Sequence, residues 1–175
     1  MRTDAVMRAR FERRGLRGAL IGLFFIVAAI LVAQPDANAA KTVKVKVALT
    51  AAEDLNPDFQ GRPSPVNLIV FQLKSADAFN TLDFFSLFDP EAAALGGDML
   101  SRTQMLLQPG EVREWEADFE KETRFVGVIA AFRDIENAQW RSVVELPEKG
   151  LIGRFFKKNK LRIAVDSLAV SVATK

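Results

Sequence analysis

Between Pro63 and Asp89 the sequence changes its period, and that change restricts the fold more than any other feature. Val66 to Leu73 is a β-branched and aromatic run introduced by Pro63 and Pro65, the pattern of a buried strand. Directly after it, Ser75 and Thr81 stand where each would cap a short helix. Asp77 and Asp83 fall in the first turns, where the positive end of the helix dipole favours a carboxylate. Leu82, Phe84, Phe85, Leu87 and Phe88 then crowd into a few positions. Asp89-Pro90-Glu91 reads as a further helix start and Gly96-Gly97 as its stop. A helical insert over about residues 75–97 therefore interrupts a chain that otherwise reads as β.

The remaining strands are short and alternate. Val43, Val45, Val47 and Leu49 share one face, opposite Lys44, Lys46 and Ala48, which is a half-buried strand with one wet side. Arg102 to Leu107 is a second alternating run, and Gln108-Pro109-Gly110-Glu111 has proline and glycine where a type II turn places them. In the return strand Trp115, Ala117 and Phe119 face inward, against Glu114, Glu116 and Asp118. Val112 is out of step with them, which predicts a bulge or a late strand start. The acidic stripe is read as a solvated, edge-protecting face. Phe125 to Phe132 is apolar on both phases and predicts a central strand covered on both sides, one cover being the Phe-rich insert. Trp140 to Leu146 alternates again. The last run switches phase across Asp166-Ser167, which predicts a bulge or a strand bending between two sheets. Seven or eight short strands with one helical insert make an antiparallel β-sandwich.

The amino terminus reads as an address. Six arginines lie within Met1 to Arg17, Gly18 to Ala33 is continuously apolar, and Ala37-Asn38-Ala39 is a small-x-small site. This is the three-part layout of a secretory signal, with cleavage expected after Ala39; an uncleaved signal anchor is the alternative. The domains are then 1–39, signal or anchor, and 40–175, a periplasmic β-sandwich. The formal charge of the chain is +2, but residues 1–39 carry six arginines against Asp4, Glu12 and Asp36, so the remainder is near −1. No electrostatic case for nucleic-acid binding survives that subtraction.

The chain has no cysteine and no histidine. An exported domain of this kind is held by its core without disulfides, and neither Cys/His nucleophiles nor the usual zinc sites can be built. No cofactor is expected. Carboxylate chemistry stays open, and Asp134 with Glu136 is the one close pair on a rim loop. On that pair rests the alternative reading, a periplasmic enzyme or glycan-binding domain acting on cell-wall material.

Two loops are candidates for contact. From Ala51 to Pro65 the chain is loop text stiffened by prolines, and its apolar Leu55 and Phe59 are either tucked beneath it or offered to a partner. Gly150 to Lys160 carries Phe155, Phe156, Lys157, Lys158 and Lys160, which either touch a membrane surface or fold back as a hairpin tip.

An ordered set of pieces carries a resemblance. It comprises Asn56-Pro57-Asp58 through Gly61-Arg62-Pro63-Ser64-Pro65-Val66, and Val70-Phe71-Gln72-Leu73-Lys74-Ser75-Ala76 leading into Phe79 and Asp83 to Phe88. Leu107 to Glu111, Phe125 to Ile135 and Trp140-Arg141 complete it. In this order they resemble the TssJ (SciN-type) lipoprotein family of the bacterial type VI secretion system. The resemblance implies a transthyretin-like sandwich with extra helices and no enzymatic activity. It also implies a periplasmic part in the membrane complex, bound to the inner-membrane protein TssM through the loop between the first two strands. By position, Leu55, Asn56, Pro57, Asp58, Phe59 and Arg62 are then the partner contacts. Family members are tethered to the outer membrane by an acylated lipobox cysteine, which this chain cannot supply. Either the domain is free in the periplasm, or Gly18 to Ala33 anchors it in the inner membrane.

Overall fold

In the computed structural model, residues 42–89, 93–147, 151–156 and 160–175 are described. The expected signal segment and the Pro90-Glu91 helix start lie outside them, as do Lys157 and Lys158. Eight strands form: β1 (Thr42–Ala51), β2 (Val66–Leu73), β3 (Met99–Leu107), β4 (Val112–Glu120), β5 (Phe125–Ala130), β6 (Arg141–Glu145), β7 (Leu161–Val165) and β8 (Val170–Thr174). Short helices α1 (Asp77–Thr81) and α2 (Phe84–Phe88), then a 3-10 segment (Ala93–Asp98), fall between β2 and β3; α3 (Ile152–Phe155) precedes β7.

The strands make two four-stranded sheets, ordered β4-β1-β7-β8 and β3-β2-β5-β6. Period-two alternation sends Val45, Val47 and Leu49 of β1, Leu68 of β2, Val126 and Val128 of β5 and Ile163 of β7 into one shared core. Gln72 ties the layers at the β2–β4 edge. Its Nε2 donates to the Asp118 carbonyl at 3.1 Å, while its Oε1 accepts from the Glu120 N–H at 2.8 Å and the buried Thr123 hydroxyl at 3.1 Å.

β2 and β5 also bury their outer faces, because the insert packs there. Ile69, Phe71, Leu73 and Ile129 meet Phe79, Leu87 and Leu95 in a second core. Gly127 makes that approach possible: a methyl group at its Cα would lie 2.6 Å from Phe79 Cζ. Arg141 fixes the insert from β6, donating through Nη1 to the Phe79 and Leu82 carbonyls, each at 2.9 Å. Both groups stand at the end of α1, where carbonyls lack helical partners.

Four details differ from the sequence reading. Asp83, not Thr81, caps α2, its carboxylate accepting from the Ser86 N–H at 3.0 Å. Thr81 instead turns back, its hydroxyl donating to the Asp77 and Ala78 carbonyls. Val112 needs neither bulge nor late start: β4 pairs with β1 in unbroken register, and Val112 shares the wet face with Glu114. Across Asp166-Ser167 the phase changes because a turn closes there, the Asp166 N–H donating to the Ala169 carbonyl, and β7 and β8 pair as a hairpin. The sandwich is also not wholly antiparallel, since β1 and β7 run parallel.

Candidate functional site: the loop pole

Strand directions bring four connections to one end of the sandwich: residues 52–65, 108–111, 131–140 and 166–169. Thr42 and the helical insert are at the other end. The turn at Gln108–Glu111 has the expected form, with the Glu111 N–H on the Gln108 carbonyl at 3.1 Å and Gly110 at φ 72°.

Asn56 organises this pole. It is 2% exposed and takes the left-handed conformation, φ 48°, which asparagine tolerates better than most side chains. Its N–H donates to the Ser167 carbonyl at 2.9 Å. Its Nδ2 donates to the Pro65 carbonyl at 2.8 Å, and its Oδ1 accepts from the Arg133 N–H at 2.8 Å. One amide side chain and its backbone thus hold three connections together. Leu55, fully buried, plugs the core beneath.

Beyond Asn56 the loop closes on Asp58. The Asp58 carboxylate accepts from the Gln60 N–H at 2.8 Å and the Arg62 N–H at 3.0 Å, and Arg62 Nη2 reaches it at 2.7 Å. The Asp58 N–H donates to the Arg62 carbonyl and the Gly61 N–H to the Asp58 carbonyl, so the tip is a closed turn. The Arg62 side chain holds the Asp58 carboxyl below the usual carboxylate range, helped by the Arg62 and Gln60 N–H groups and the Arg133 charge. Phe59, at the crest of this turn, is 93% exposed. Beside it Pro57, Asp58, Phe59, Arg133, Asp134 and Leu168 line an open depression of about 500 Å³.

The six expected contact residues therefore divide. Phe59 and Arg62 are exposed, and Pro57 and Asp58 are partly so. Leu55 and Asn56 are buried and cannot touch a partner: the first fills the core and the second spends its amide inside the pole. Arg133 and Leu168 join the site although no periodicity pointed to them. Asparagine's tolerance of positive φ was the one sequence signal for the role of Asn56.

The expected membrane contact is corrected in part. Phe156 is 2% exposed, and Phe155 packs edge-on against it at 5.0 Å, both turned into the sandwich by α3. Lys160 Nζ is paired with both Glu114 oxygens at 2.7 Å. The carboxylate pair of the enzyme reading fares similarly: both oxygens of Asp134 accept from Asn137 Nδ2, at 2.9 and 3.0 Å, which is a turn closing on itself. Among the described residues no helix is long and apolar enough to cross a membrane.

Comparison with known proteins places the chain among components of one secretion system. The sequence model of the type VI secretion lipoproteins (VasD, EvfM, TssJ) matches residues 43–168. The crystal structure of the T6SS lipoprotein TssJ1 from Pseudomonas aeruginosa is similar at 33% identity and TM-score 0.67, over 77% of this chain and 97% of that one. Serratia marcescens Lip, a membrane-bound component of the type VI secretion system, shares the fold at 23% identity and TM-score 0.65, over 74% and 96% of the two chains. A structure described as the T6SS protein TssM C-terminal domain from EAEC also matches, at 23% identity and TM-score 0.58, over 74% and 97%. No curated protein matches the chain.

Proposed function

The chain belongs to the type VI secretion lipoprotein family that includes TssJ, and from that membership we propose that its loop pole docks on the periplasmic domain of TssM. The family is a structural, envelope-associated one and not a family of enzymes. TssM is singled out because a structure described as its C-terminal domain is among the neighbours of this fold. The observation that carries the reading is Phe59. A phenylalanine held 93% exposed on a closed turn forgoes about 1.5–3 kcal/mol of burial, which a partner can recover. Asn56 and the Asp58–Arg62 turn fix its backbone beforehand, so little ordering entropy is lost on docking.

The rest follows from that assignment. On this reading the domain is exported with residues 1–39 as its signal or uncleaved anchor and works in the periplasm. These residues supply no cysteine for an acyl anchor of the lipobox kind, and the reading assigns the domain's place in the complex to the partner or to Gly18–Ala33. Phe59→Ala should weaken capture of the TssM C-terminal domain roughly ten- to a hundredfold, the range of a buried aromatic anchor. Thermal unfolding of the variant should be unchanged. Equal capture by folded Phe59→Ala would remove the loop from the interface.

A further inference from the structure

The charge around Phe59 says what kind of surface receives it. Glu53, Asp54, Glu136 and Asp166 are exposed at this pole and make no side-chain hydrogen bond or ion pair among the described residues. The cations there do not balance them. Arg62 is taken by Asp58, which leaves the Arg133 guanidinium as the one basic group of these connections without such a bond. Of the remaining carboxylates, Glu111 is paired with Arg113, whereas Asp134 accepts only from the neutral amide of Asn137 and keeps its charge. The pole thus presents an aromatic ring beside an open depression, at an end of the sandwich that also carries uncompensated carboxylates, on a domain whose formal charge after residue 39 is only about −1.

We infer, on the premise that this pole is the docking surface, that the partner face is basic: an apolar socket for the Phe59 ring, rimmed by lysine or arginine side chains. One of those cations enters the depression between Phe59 and Asp134. There it meets the face of an exposed phenylalanine and a carboxylate together, a pairing that favours a guanidinium or ammonium. Arg133, on the same rim, repels a cation placed wrongly and so fixes the approach. Charges of this type act mainly on encounter rate and partner choice, while the apolar anchor sets residence time.

The two contributions separate by salt. Binding of the full-length chain to the TssM C-terminal domain is measured at about 50 and 500 mM salt, for the parent, for Phe59→Ala and for the triple variant Glu53→Gln, Asp54→Asn, Glu136→Gln. The parent should lose at least tenfold in affinity between the two salts, because screening shortens the reach of exposed charges to a few ångströms. The triple variant should bind about tenfold more weakly at low salt and show a flattened salt response. Phe59→Ala should bind more weakly at both salts and keep the parent's slope. All three positions are exposed and unpaired, so unchanged unfolding temperatures are expected and are checked first. A parent that binds independently of salt, or a triple variant that binds as the parent does, overturns the basic face while leaving the loop reading intact. A parent that binds at neither salt overturns both.

Discussion

At the scale of single residues, the pole depends on one amide. Asn56→Ala leaves the Pro65 carbonyl and the Arg133 N–H without their partner and keeps a β-carbon at φ 48° without asparagine's tolerance of that conformation. Each of these part-buried groups, left unsatisfied, costs about 1–3 kcal/mol, so a loss of about 2–6 kcal/mol is expected by chemical denaturation. Asn56→Gly removes the same hydrogen bonds without the backbone penalty and should lose about 1–2 kcal/mol less. Equal losses would place the whole role in the side chain. Phe59, 93% exposed, is the opposite case: its removal should cost little stability, and on the proposed function it should cost contact. The sequence offered Leu55 and Phe59 as equivalent loop hydrophobes, and they are not: one is fully buried and the other 93% exposed. What separates them is where Asn56 turns the chain, a tertiary event tied to Ser167 and Arg133 that no local pattern records.

At the scale of elements, the helical insert is a lid on the second core rather than an ornament. Its fit requires the absence of a side chain at Gly127, where the Phe79 ring lies against the strand. Gly127→Ala should destabilise the domain by about 1–3 kcal/mol through overpacking, measured as a lowered denaturant midpoint at constant slope. Adding Phe79→Leu should recover part of that loss, since it withdraws the clashing ring atoms. No recovery would mean that the insert can shift away from β5 at little cost. The elements themselves were legible, because strand and helix periods differ and aromatic runs mark the strands covered on both faces. Legibility failed where an identical pattern has two outcomes. A phase change across Asp166-Ser167 is the same text for a bent strand and for a tight hairpin, and the Asp166–Ala169 turn decided for the hairpin. Phe155 and Phe156 beside lysines are the same text for a membrane contact and for a core plug; α3 turns them inward.

For the whole molecule, the two sheets hold the proposed docking pole at one end and begin with Thr42 at the other. β1 enters at Thr42 and delivers the loop after Ala51, a run of ten residues that spans about 30 Å. Whatever precedes Thr42, the loop pole is carried away from the start of the domain by the length of that strand. The measurement that tests this account most directly is hydrogen exchange of the full-length chain, alone and saturated with the TssM C-terminal domain. Added protection should concentrate in residues 52–65 and 131–140, with the insert and the sheet faces unchanged. Protection confined to the insert or the β4 face, with the loop pole exchanging as freely as before, would contradict it.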